Sequence, residues 1–157
     1  MKKLKALRQH LLDALPADRH YADQLQVHVD SGTIHCASGN DLNHQQRYTA
    51  HFSLEAYQDT LDELTVPLLE WLRCYEPSAL TPNALTFDAT LLANGHWRIA
   101  LSVPLSERVK VYKDCAHQRY HTDHMLPTYA DDFCHSRQWS LVVNDEHAHN
   151  EWPLQTP

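Results

Sequence analysis

The sequence predicts an α+β fold: one antiparallel or mixed β-sheet packed by two main helices, with an irregular C-terminal extension. Two segments repeat apolar residues at helical spacing, and several others alternate apolar and polar residues with period two. After Lys113 both patterns thin out. Helix, three strands, helix and hairpin in that order suit a single sheet with helices against it. The expected division is one α+β domain over 1–112 and a His-rich, acidic extension over 113–157, partly docked on it.

The first helix is marked by Leu4, Leu7, Leu11, Leu12 and Leu15 on one face, and Pro16 ends it because proline cannot continue the hydrogen-bond ladder. Its first turns carry Lys2, Lys3, Lys5 and Arg8, where the helix dipole disfavours positive charge. These four residues are either a solvated face or a docking surface for an acidic partner. Leu25, Val27 and Val29 alternate with polar residues as a half-buried strand does. Asp30-Ser31-Gly32 then predicts a turn, with Ile34 and Cys36 in the return strand of a hairpin. Ser38 to Asp41 has loop composition. A third strand follows, with Tyr48, Ala50, Phe52 and Leu54 on one face.

From Gln58 to Tyr75 the period becomes helical, with Leu61, Leu64, Leu68, Leu72 and Tyr75 aligned and Trp71 beside them. Thr60 and Glu63 have capping-box spacing. Pro67 inside the pattern predicts a kink, or a short helix followed by a longer one from about Thr65. Leu85, Phe87, Ala89 and Leu91 then alternate, Asn94-Gly95 makes a hairpin turn, and Trp97, Ile99, Leu101 and Val103 form the return strand. Pro104 predicts an interruption, with Arg108–Tyr112 as a further edge strand. A short strand is expected at Trp139–Val143, ahead of a loosely docked tail containing Trp152, Pro153 and Pro157.

The 157 residues are 43% hydrophobic and 21% charged, enough for one core and unlike a disordered chain. Thirteen Lys+Arg against 20 Asp+Glu give a net charge of −7, which argues against specific nucleic-acid binding because no basic footprint is supplied. No stretch approaches the roughly 20 apolar residues of a membrane span, and His10 and Asp13 interrupt any signal-peptide core behind the basic start. Three glycines exclude a Gly-rich phosphate loop, and neither GxSxG nor HExxH occurs. The paired carboxylates Asp62-Glu63 and Asp131-Asp132 read as solvated surface. No catalytic residue and no cofactor is expected.

Cys36, Cys74, Cys115 and Cys134 form no CxxC pair and are expected as free thiols in a cytosolic setting. Six of the 13 histidines fall in 113–157, a segment of 3 basic and 7 acidic residues. There Cys115, His117, His121 and His124 are weak candidate metal ligands, with Asp123, Cys134 and His135 nearby. On a helix the three imidazoles would share a face, and a thiolate with imidazoles suits tetrahedral zinc. The spacing matches no standard zinc finger or ribbon. The alternative function is therefore a metal-binding module or metal-dependent enzyme built on 115–135.

Four ordered blocks carry a resemblance. They are Met1-Lys2-Lys3-Leu4-Lys5-Ala6-Leu7-Arg8-Gln9-His10-Leu11-Leu12, Arg47-Tyr48-Thr49, Val66-Pro67-Leu68-Leu69-Glu70-Trp71-Leu72-Arg73 and Pro104-Leu105-Ser106-Glu107-Arg108-Val109. Through about residue 111 the chain resembles the tail completion protein R (GpR) family of contractile-tailed temperate phages and prophages. The resemblance implies a structural, non-enzymatic virion assembly protein, similar to tail terminators. Such a protein caps the head-proximal end of the tail tube, stops its polymerisation and prepares head–tail joining. The resemblance further implies a ring-forming homo-oligomer, typically a hexamer, whose partners are the tail tube protein and head–tail connector proteins. It places the protein in the bacterial host cytoplasm during assembly and then in the virion tail.

Overall fold

The computed structural model describes residues 1–36, 39 and 41–125, together with the backbone of 139–142 and 149–152. Helix α1 (Lys2–Ala14) turns its buried face, Leu7, Leu11 and Ala14, toward the core. A 3₁₀ turn (Ala17–Arg19) and the one-turn helix α2 (Tyr21–Gln24) lead into strand β1 (Gln26–Cys36). Strand β2 (His44–Tyr57) is followed by helix α3 (Leu61–Tyr75) and a second 3₁₀ turn (Pro77–Leu80). Strands β3 (Thr86–Leu91), β4 (Trp97–Asp114) and β5 (Arg119–Met125) complete the main sheet, and β6 (Trp139–Val142) pairs with β7 (His149–Trp152) apart from it.

The main sheet is antiparallel in every pairing, in the order β1-β2-β4-β3, with β5 also on β4. Both large helices lie on one face. Tyr48, Ala50, Phe52 and Leu54 of β2 and Ile99, Leu101, Val103 and Leu105 of β4 are buried against Leu7 and Leu11 of α1 and Leu64, Leu68, Trp71 and Leu72 of α3. The opposite face keeps the polar half of the alternation, as expected for an antiparallel sheet with one side in water.

Strand β4 runs unbroken through Pro104, contrary to the interruption the sequence predicts. Ser106 N–H points away from β2, toward the Glu76 carboxylate at 2.9 Å. With period two, the nitrogen of Pro104 points the same way. On that side β3 pairs only as far as Ser102 and β5 begins only at Arg108. Pro104 thus sits in a gap where no ladder bond is lost. Of the expected edge Arg108–Tyr112, Arg108 and Val109 lie between β2 and β5 and are not an edge, whereas Lys110–Tyr112 run past the start of β2 and pair with β5 alone.

Four other expectations need correction. Glu63, read with Asp62 as solvated surface, is buried. Asp30-Ser31-Gly32 is a bulge, not a hairpin turn: β1 continues along β2 with a register shift between Val29 and Gly32. A Cβ at Gly32 would come within 3.3 Å of the Arg47 carbonyl oxygen, so the close approach there calls for glycine. Helix α3 is continuous, so the break into a short and a longer helix does not occur; Pro67 lies in its second turn, where the missing N–H forfeits a single bond to the Glu63 carbonyl. Thr60 is its N-cap, but the Thr60 hydroxyl makes no hydrogen bond, so the capping box is not formed. The turn at Asn94-Gly95 forms as predicted, with Gly95 at φ +82°. Val143, Pro153 and Pro157 lie outside the described residues.

Phe52 and Phe87 occupy equivalent positions in alternating patterns and meet opposite fates. Phe52 is 1% exposed and Phe87 54%. Phe52→Ala is expected to cost ~3–5 kcal/mol of stability, and Phe87→Ser less than ~0.5 kcal/mol in the isolated subunit. Urea unfolding of the two variants checks both figures.

Candidate functional site

Helix α1 brings no acidic residue to its first turn, and its N-cap residue, Met1, makes no side-chain cap. The missing acceptor comes from Glu107 on β4. Its Oε2 accepts the Lys2 N–H at 3.0 Å and its Oε1 the Lys3 N–H at 3.2 Å. Tyr48 donates its hydroxyl to Oε1 at 2.5 Å, and His124 of β5 donates Nδ1–H to Oε2 at 2.6 Å. Both oxygens are thus saturated, which is what allows a carboxylate to be 2% exposed. Burial pushes the Glu107 pKa up, but the donors from Tyr48, the Lys2 amide and His124 outweigh it and leave the pKa lowered. Burial, with the Glu107 hydrogen bond second, raises the pKa of the Tyr48 phenol.

Beside this hub a second carboxylate, Glu76, follows α3. The Lys3 ammonium donates to it at 2.7 Å and to the Tyr75 carbonyl at 2.8 Å. Ser106 donates both its N–H and its hydroxyl, and Ser78 adds a further hydroxyl. Burial opposes ionisation here too, and the donors from Lys3, Ser78 and Ser106 prevail and lower the pKa. Neighbouring residues of β4 therefore hold both helices: Glu107 grips the start of α1, and Ser106 grips the end of α3.

The four cationic residues of α1 separate. Lys3 is buried in its pair with Glu76, and Arg8 donates Nη2 to the Ala22 carbonyl at 3.0 Å, while Lys2 and Lys5 remain exposed. The candidate metal ligands also separate. Residues 119–125 are a strand, so His121 and His124, three apart, point to opposite faces and not along one helical face. His124 turns in to Glu107. His121 lies 3.8 Å from Asp114, which His117 contacts at 2.7 Å, and Cys115 is exposed in the turn before them. Among the described residues no group of three or more His, Cys, Asp or Glu side chains could hold a metal ion. Cys134, His135 and Asp131-Asp132 lie outside the described residues.

What the described chain does expose is sheet. All six residues of β3 are exposed, and its outer edge has no partner strand among the described residues. Phe87, Ala89 and Leu91 lie opposite Leu101, Ile99 and Trp97, so they extend the core-facing row beyond the reach of the helices. Leu91 is 59% exposed. At the other side of the sheet, β1 has no partner strand among the described residues along Ser31–Cys36, where Ile34 is exposed. The sequence pattern marks Phe87 and Leu91 as apolar positions but cannot say that the covering helix stops short of them.

Internal anchoring of this kind, with strands at both sides of the sheet left uncovered among the described residues, defines a structural subunit suited to assembly with other chains. The profile of the P2 phage tail completion protein R (GpR) family matches residues 1–128, and the chain belongs to that family. It is 31% identical over 116 residues to Tail completion protein R of Escherichia phage P2, a match covering 71% of this chain and 75% of the relative. No solved structure matches the chain significantly. The family assignment gives the protein a structural role in phage tail completion. The family match includes β5, which the sequence reading assigned to the extension.

The two buried carboxylates set the acid sensitivity of the fold. A carboxylate whose folded-state pKa lies below its unfolded value contributes fully above the unfolded value, and that contribution fades as pH falls through the folded pKa. Stability is therefore expected to decline as pH drops below about 4.5. Glu107→Gln should be less stable than wild type at pH 7 and should show a shallower decline in acid. Glu76→Ala leaves the Lys3 ammonium buried without its partner and is expected to cost ~3–5 kcal/mol at pH 7. Urea titrations at a series of pH values test both.

Proposed function

We propose that this protein is a tail terminator: a ring of identical subunits that caps the head-proximal end of the tail tube, stops its polymerisation and prepares it for head joining. The observation that carries the reading is β3, a strand whose apolar row and outer edge are left uncovered among the described residues. A rotational ring uses two different surfaces of each copy, so that one patch meets its complement on the next subunit. The open edges of β3 and β1 lie at opposite sides of the sheet and are suited to such head-to-tail pairing. Burial of Phe87 and Leu91 at the contact supplies the apolar gain, ~1.5–3 kcal/mol for each side chain fully covered.

In this reading six copies close the ring, and its partners are the tail tube protein on one side and head–tail connector proteins on the other. The ring assembles in the host cytoplasm and remains in the virion tail. The exposed ammonium groups of Lys2 and Lys5 steer an acidic partner face, acting on encounter more than on final affinity.

Native mass spectrometry of untagged protein over a concentration series is expected to give a discrete hexamer. The double variant Phe87→Ser/Leu91→Ser should give monomers with unchanged circular dichroism. A wild-type chain that remains monomeric both in solution and on purified tail tubes would overturn the ring. Charge reversal of Lys2 and Lys5 together should lower infectious particle yield without unfolding the subunit, and an unchanged yield would refute the steering role.

A further inference from the structure

A groove of about 970 Å³ crosses β2 and β4 and reaches the ends of the two helices, where Lys3, Tyr75 and Glu76 line it. Its floor carries Arg47, Thr49 and Arg108, and its sides are the bulged segment Ser31–Thr33 and the 3₁₀ turn at Pro77–Ala79. Arg47 is opposite Ser106 and Gln45 opposite Arg108, so the two arginines are diagonal neighbours on adjacent strands. Both precede a buried core-face residue, Tyr48 and Val109, and so both point outward. Diagonal neighbours have Cβ atoms roughly 7–8 Å apart.

Neither guanidinium has a carboxylate partner among the described residues. Arg47 donates only to the Gln45 amide oxygen, at 3.2 Å, and the Arg108 side chain makes no hydrogen bond or ion pair there. The acidic group that lines the groove, Glu76, is already matched by Lys3 and three hydrogen-bond donors from Ser78 and Ser106, so it neither neutralises the arginines nor repels an incoming anion. Two like charges side by side on a sheet are unfavourable until an anion lies against them. In a chain of net charge −7 this is a local, directional site and not part of a general basic surface.

We propose that this groove binds an extended acidic segment of a partner protein, with carboxylates at alternate residues seated on Arg47 and Arg108. Side chains at i and i+2 of an extended strand are about 6.6–6.8 Å apart, close to the spacing of the two arginines. A carboxylate meets a guanidinium through two parallel N–H···O bonds, which gives orientation as well as attraction. Nucleic acid fits less well, since its affinity comes from a track of many phosphate contacts and the groove offers two guanidiniums. The inference goes beyond the ring: it does not need β3, and of β1 it uses only the bulged segment Ser31–Thr33 that borders the groove.

The test is fluorescence anisotropy at low salt with a labelled octapeptide of alternating Glu and Ser. The same peptide with Gln for Glu and a labelled oligothymidine serve as comparisons. Wild type should bind the Glu peptide, bind the Gln peptide much more weakly, and lose affinity as salt rises. Arg47→Ala/Arg108→Ala should bind the Glu peptide about tenfold or more weakly, with unchanged circular dichroism and thermal unfolding. Lys113→Ala, which removes an exposed cation outside the groove, should bind it as wild type does. The inference fails if wild type ignores the Glu peptide, if the arginine variant keeps its affinity, if the lysine variant loses as much, or if the oligothymidine binds more tightly. Because none of these readouts depends on oligomer size, failure here and failure of the ring are separable.

Discussion

A single carboxylate lets the two layers of this protein lock together. Helix α1 begins with cationic side chains and brings no side-chain acceptor of its own, so its first amides and its dipole both call for an anion from elsewhere. Glu107 supplies it from the middle of the longest strand, while a tyrosine from β2 and a histidine from β5 complete its coordination. Removing any one donor leaves a buried charge less than satisfied, which is why four elements of the fold become interdependent at this point. The Lys3–Glu76–Ser106 set extends the arrangement to the end of α3. A lysine that would weaken an isolated helix N-terminus is in this way turned into the tie between the two helices.

The same strand explains where the subunit is closed and where it is open. β4 is long enough to be paired along one side by β2 and along the other by two separate strands, and the gap between them holds both Pro104 and the carboxylate of Glu76. Because the helices are fastened near this gap, they cover Leu101, Val103 and Leu105 well. They do not reach across to β3. The exposed apolar row is thus a consequence of where the anchors sit, and a second layer for β3 has to come from outside the described fold.

Much of the fold is legible in the sequence because its rules are local. The period of the leucines marks α1 and α3, and the alternation from Tyr48 to Leu54 marks the core face of β2. What failed was local in another sense. Asp30-Ser31-Gly32 has the composition of a turn, and only the pairing of β1 with β2 on both sides of it makes it a bulge. Pro104 is a strand breaker wherever its nitrogen would face a partner, and the sequence does not show that it faces a gap. The hub was missed although one signal is present: Glu107 stands in the apolar row of Leu105 and Val109, a charge at a core position that demands partners. Those partners come from Lys2, Lys3, Tyr48 and His124, and no spacing rule connects residues that distant. The histidines of 117–124, read as if helical, belong to a turn and a strand, where three-residue separation divides them between faces.

The two proposed surfaces differ in what they can contribute to assembly. An apolar edge gains free energy from area and is tolerant of exact partner chemistry, so by itself it also invites unwanted sheet-to-sheet contact. A pair of unpartnered arginines contributes less area but reads charge and spacing, and like charges from a wrong partner are repelled there. The arginines lie on the outer sheet face and the apolar row of β3 lies on the helix-side face, so the two patches do not overlap. A subunit organised in this way can meet a copy of itself and a different protein at once. The rigidity imposed by Glu107 and Glu76 keeps the two surfaces in fixed relation, because strands β2 and β4, which bear the arginines, are the same strands that hold the helices and β3.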